Sequence, residues 1–183
     1  MSAVAAPELL IFGAVVAARI VVPLLILRWP LAGTGLAIIL DFYDFGIFGI
    51  IGGPGPFAWK FYQPLDKVLD TYYLTLLMWV VWHWEDTRLR SIAYGLFLWR
   101  LAGVIAFVGL AIAGREVGAI LFFAPNIFEM FVIAVLFFQA FFPYRRMSNV
   151  LLILLLVLVG IGKLVHEYDL HVQEPIASVF LKK

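Results

Sequence analysis

The chain has no cysteine. That excludes disulfides, iron–sulfur clusters and thiolate metal sites. Charge is scarce too: 14% of the 183 residues are Asp, Glu, Lys or Arg, where a soluble domain carries roughly 25%. The net charge is only +1, so nothing electrostatic speaks for nucleic acid as a partner. There is no Gly-x-Ser-x-Gly elbow, no P-loop and no dinucleotide fingerprint. Ser and Thr are few inside the apolar runs, so nucleophilic hydrolysis has no candidate residue. The first apolar run lacks a basic leader and is interrupted by Arg19. It is therefore expected to remain as a helix rather than to be cleaved as a signal peptide.

What the chain does have is apolar length. Apolar residues make up 64% of it, and its mean hydropathy is +1.04. A spanning helix needs about 20 mostly apolar residues. Runs of that order are expected near 8–27, 31–52, 64–84, 91–113, 117–142 and 149–165. They are separated by Arg28-Trp29-Pro30, by the breaker cluster 52–56, by Glu85 to Arg90, by Gly114-Arg115-Glu116 and by Pro143 to Arg146. Pro64 suits the first turn of the third run. The run 150–159 does not alternate apolar and polar residues, so helices are favoured over a barrel. Tryptophans and tyrosines near the predicted ends fit an interfacial belt. The expected fold is all-α: a polytopic integral membrane helix bundle with about six transmembrane helices. It would form one transmembrane domain over 1–165, followed by a polar interfacial tail over 166–183, with the lipid bilayer as its first partner.

The charges within these runs carry the functional signal. Arg19, Asp41, Asp44, Arg100 and Glu129 interrupt apolar sequence. Such a residue costs roughly 2.5–3.5 kcal/mol at a helix centre on insertion scales. At about 1.5 Å per residue, Arg19, Asp41, Arg100 and Glu129 fall roughly 15–20 Å from the ends of four different spans. That is near the middle of a hydrocarbon layer about 30 Å thick. They are expected to face one another or a wet cavity, with Arg19 and Arg100 as charge-pairing partners. Asp70 comes in shallower, and Asp66 is expected near the surface. Two arginines against Asp41, Asp44, Asp70 and Glu129 leave an excess of negative charge, which bound protons or a cation would offset. These four acids are the candidate ion- or proton-binding residues.

Local patterns add detail. Pro125 offers no N–H to the carbonyl of Leu121, one turn before Glu129. Either a kink or a broken helix follows, and in the second case Asn126 would line a cavity. Gly49 and Gly53 form a small-xxx-small pair suited to close helix packing. In His166-Glu167-Tyr168-Asp169-Leu170-His171 the second histidine stands at i+5 rather than i+4, so the zinc-protease pattern is not met. Lys163 is expected to snorkel to the surface.

Asp41 and Asp44 share one helix face, and Asp66 and Asp70 another. Four carboxylates on one hairpin are a donor set for a divalent cation such as Mg²⁺. The pattern D-x2-D … D-x3-D, over about 30 residues, resembles that of the CDP-alcohol phosphotransferases, six-span membrane enzymes with paired aspartates on adjacent helices. It departs from theirs where Phe45 replaces the glycine after the second Asp, where no Arg follows in the same span, and in the longer gap to Asp66. Three functions therefore stand open. The first is a proton or cation channel or transporter, for which a homo-oligomer is expected because six spans are few for a monomeric carrier. The second is a divalent-metal-dependent, lipid-embedded phosphotransferase-like enzyme. The third is a structural or assembly subunit of a membrane complex whose buried charges specify packing.

Overall fold

Apolar runs punctuated by proline and glycine leave the backbone few choices, and the computed structural model is all-helical. It describes residues 6–50, 55–113, 119–143 and 145–168, and among these no strand occurs. Side chains at 6–9, 44–50, 55–64, 119 and 166–167 also lie outside the described set. The chain divides into two units, Met1–His83 and Trp84–Lys183.

The first unit contains α1 (Ala6–Val21), a 3-10 turn (Val22–Leu27), α2 (Pro30–Ile50) and α3 (Gly55–Trp82). The 3-10 turn has a cause. Pro23 cannot donate to the carbonyl of Arg19 one turn earlier, so the helix tightens rather than continuing. The Tyr72 hydroxyl donates to the neighbouring carbonyl of Ile20 at 3.1 Å. Chain direction reverses at Arg28-Trp29, and α2 begins on Pro30, where a missing N–H costs nothing. A Cβ on Gly33 would lie 2.4 Å from the Ile26 backbone nitrogen, so α2 crosses the turn with no room for a side chain. Pro64 sits inside α3, not at its start. One lost donor does not end a helix whose other bonds survive.

The second unit contains α4 (Thr87–Ile112), α5 (Ala119–Phe123), α6 (Ile127–Phe141) and α7 (Asn149–Tyr168). Asp86 caps α4, accepting from the backbone N–H groups of Arg88 and Leu89 at 3.0 and 3.5 Å. Arg88 then joins the start of α4 to the start of α7. It bonds Asp86 at 2.8 Å, the Asn149 side chain, and the Met147 carbonyl at 3.3 Å. The run 117–142 is broken, not kinked: Ala124-Pro125-Asn126 separates α5 from α6. Gly103 of α4 packs on that break, and a Cβ there would come within 2.2 Å of the Ala124 Cβ.

Two helical stretches are long and apolar enough to cross a membrane, Leu10–Leu27 and Thr87–Ile112. The other apolar helices, Pro30–Tyr43, Ile127–Phe141 and Asn149–Val165, are shorter over their described residues. The division at 83/84 was not expected from the sequence, and α7 runs to Tyr168, past the expected end near 165.

Replacing Gly103 by Ala should destabilise the chain by about 1–3 kcal/mol through overpacking. Gly109→Ala on the same helix, where a Cβ meets nothing within 4 Å, should be neutral or stabilising by up to about 1 kcal/mol. Denaturant unfolding of the purified chain in detergent separates the two; equal effects would contradict the close crossing. Asp86→Ala should cost about 1 kcal/mol through the lost cap. The hydrogen bond from Arg88 holds the Asp86 carboxyl below the usual carboxylate range. Its stabilisation is therefore complete above about pH 4 and fades as pH falls through the lower folded value. Wild-type and variant stabilities should converge on acidification.

Candidate functional site: a buried arginine among three aspartates

Arg19 points from α1 into the first unit and is 5% exposed. A guanidinium presents five N–H donors in one plane. Here Nη1 donates to Asp66 Oδ1 at 2.5 Å, and Nη2 donates to Asp70 Oδ1 at 2.6 Å and to Asp41 Oδ1. One side chain of α1 thus ties α2 to α3. Asp66 and Asp70 stand one turn apart on α3, so both reach the same partner. Lys67 lies between them. Its Nζ is 2.8 Å from Asp66 Oδ2 and 3.1 Å from Asp70 Oδ2. Each α3 carboxylate is therefore divided, with one oxygen turned to Arg19 and the other to Lys67. Asp41 is the open member of the set, its side chain 38% exposed.

The facing oxygens of Asp41, Asp66 and Asp70 all lie within 4.8 Å of one another. Among the described residues, three carboxylates meet two cations, which leaves one negative charge in excess. Asp44 belongs to α2, but its side chain lies outside the described residues.

The remaining sequence-selected groups fall in the second unit and gather around the broken run. Arg100 is buried and donates from Nη1 to the Ala124 carbonyl at 2.7 Å. Trp99 Nε1 donates to the Phe123 carbonyl at 3.0 Å. The carbonyls at the break are thus taken up by α4. Asn126 caps α6: its Oδ1 accepts from the Glu129 N–H at 3.4 Å, and its Nδ2 donates to Glu129 Oε2. Glu129 is also 4.0 Å from Lys163 Nζ. Lys163 does not snorkel outward; it turns inward from α7 to this carboxylate.

Asp66 and Lys67 were under-read from sequence. A helix starting at Pro64 would place Asp66 near the surface. The helix starts at Gly55, which puts Asp66 roughly 17 Å along its axis. The signal was available in Asp66-Lys67-x-x-Asp70, where an intervening lysine on the same turn can reach both acids. Of the string from His166 to His171, Tyr168 alone has a described side chain; those of His166 and Glu167 and residues 169–183 lie outside the described set.

No protein-family model, curated protein or solved structure matches this chain.

Arg19→Leu should destabilise by about 3–5 kcal/mol, because it strands the buried Asp70 beside the half-buried Asp66 and Asp41. Arg19→Lys should rescue little of that, since a point-like ammonium cannot span three partners. Removing Asp41, the exposed partner, should cost less than removing Asp70. Thermal unfolding in detergent orders the variants; a neutral Arg19→Leu would mean that the bridge is not made.

Proposed function

We propose that the chain is a multi-pass membrane protein whose first unit binds and passes a proton or small cation at the Arg19–Asp41–Asp66–Asp70 cluster. The observation that carries this reading is the buried guanidinium held by three carboxylates of two helices, with one negative charge left over among the described residues after Lys67 is counted. A residual charge is costly in an apolar interior, and intramembrane acids commonly serve ion and proton pathways. Asp41, the most exposed carboxylate of the three, is the place where an ion would first meet the site. Membrane residence is supported by the two helices of spanning length. It is supported further by exposed apolar side chains along α7, among them Val150, Leu154, Leu158 and Ile161. Such a surface suits acyl chains better than water.

A second reading rests on the same oxygens. Asp41, Asp66 and Asp70 offer the hard donors that a divalent ion prefers, as a phosphotransferase-like enzyme would require. The fit is incomplete, because Arg19 and Lys67 already engage those oxygens and an ion would have to displace them. The transport reading asks for no such rearrangement at Arg19.

Reconstitution into liposomes tests the proposal. The wild-type chain should carry proton or alkali-cation flux under an imposed gradient, and Asp41→Asn should reduce it at least about tenfold while the protein still elutes as a folded species. Flux indifferent to Asp41→Asn and to Arg19→Gln would sink the transport reading. Manganese binding that is lost in Asp70→Asn would instead favour the metal-dependent one. Absence of both, with folding kept when all the charges are neutralised together, is the outcome expected of a packing role.

A further inference from the structure

Four arginines meet at one end of the second unit. Arg88 and Arg90 lie in the first turn of α4, and Arg145 and Arg146 in the connection from α6 to α7. Arg88 draws the two pairs together, because it holds the Met147 carbonyl at 3.3 Å and the Asn149 side chain just past Arg146. The four are not equivalent. Arg88 is engaged with Asp86 and with that connection, and Arg90 donates to the Trp84 carbonyl at 3.4 Å. Arg145 and Arg146 are exposed, and among the described residues no hydrogen bond or ion pair engages either guanidinium. The acids of this end are Glu85 and Asp86, so positive charge is in excess among the described residues. Apolar surface adjoins it. The Arg145 N–H donates to the Phe142 carbonyl at 3.1 Å, which turns the connection back onto the last turn of α6. Phe137, Phe141 and Phe142 are exposed there. The rings of Phe137 and Phe141 stand 4.4 Å apart, and those of Phe138 and Phe142 stand 5.3 Å apart.

We propose that Arg145 and Arg146 bind the headgroup of an anionic phospholipid whose acyl chain lies along Phe137 and Phe141. This rests on the membrane residence of the reading above and not on its ion site. A guanidinium presents a planar fork that matches phosphate oxygens. Basic residues next to a membrane segment are drawn to anionic headgroups. Two such forks side by side favour a headgroup of net negative charge, because a zwitterionic one brings its own ammonium to the same place. A lipid fits better than a soluble anion, since the face beside the arginines is apolar and a soluble anion would leave it uncovered. Arg88 acts as a positioning residue: it fixes the connection that carries the two binding arginines.

The experiment uses the full chain. It is first reconstituted in phosphatidylcholine vesicles and washed with sodium carbonate. Retention in the vesicles supports membrane residence; release overturns both that reading and this proposal. Thermal unfolding is then followed in detergent with phosphatidylglycerol or phosphatidylcholine added. Phosphatidylglycerol should raise the Tm at a concentration about tenfold or more below that required of phosphatidylcholine. Arg145→Gln with Arg146→Gln should abolish most of that preference. Arg28→Gln, which removes an exposed arginine of the first unit, should leave it unchanged. A retained chain that responds equally to the two lipids would overturn this proposal and leave membrane residence standing. Equal loss of preference in Arg28→Gln and in the paired variant would do the same, by assigning the effect to net charge. Inorganic phosphate that stabilises as well as phosphatidylglycerol at the same concentration would assign the arginines to a soluble anion, and would equally overturn it. Arg145→Lys with Arg146→Lys keeps the charge and removes the fork, so it should retain part of the preference. That pair also serves if the glutamine pair fails to fold. Failure of both pairs to fold would make the arginines structural and overturn the proposal.

Discussion

A cation that cannot lose its proton, placed where water does not reach, must be met by acids, and Arg19 imposes that requirement on the first unit. Its guanidinium contacts Asp41 of α2 and Asp66 and Asp70 of α3. The register of both helices against α1 follows from those contacts. Neighbouring features serve the same alignment. Pro23 ends the regular part of α1 one turn beyond Arg19, Tyr72 holds the carbonyl of Ile20 from α3, and Gly33 lets α2 press onto the tightened turn. Apolar packing alone would hold three such helices together at several depths; fixed charges select one.

The second unit meets a similar demand with different parts. Its first helix again carries a buried arginine, its middle stretch a buried acid, and its last helix a lysine turned inward: Arg100, Glu129 and Lys163. Here the arginine donates to a backbone carbonyl, that of Ala124. Pro125 and the residues beside it interrupt the middle helix, and carbonyls that a continuous helix would have satisfied accept from Trp99 and Arg100. Backbone polar groups left bare in an apolar interior are costly. The break persists because α4 supplies donors and because Gly103 leaves space for the approach.

Much of this could be read from the amino-acid order, and the failures have physical reasons. Uninterrupted apolar runs announced the helices, and charges inside those runs announced which residues need partners. Depth alone put Arg19, Asp41, Arg100 and Glu129 at one level without saying which would pair; the contact of Arg19 with Asp41 is visible only in the structure. Asp66 fell outside that level, because a proline read as a helix start lies within one, and that shift of nine residues moved Asp66 toward an imagined surface. Lys163 was assigned outward by the usual habit of long cationic side chains near helix ends, whereas a buried carboxylate one helix away outweighs the pull of the surface. The division into two units left no mark in composition, since the polar turn at 83–86 resembles the other turns.

The bridge at Arg19 also bears on how the chain is made. In a membrane, α1 would arrive before α2 and α3, and it would meet lipid before the acids of those helices are made. The acidic partners described for it, Asp41, Asp66 and Asp70, all lie downstream. A lone helix bearing a central arginine is disfavoured in lipid by roughly 2.5–3.5 kcal/mol on insertion scales. The early helix would then be retained in a protected, hydrated setting until α3 has been synthesised, and α1, α2 and α3 would partition into lipid together. Biogenesis of the first half would proceed as one cooperative event rather than helix by helix.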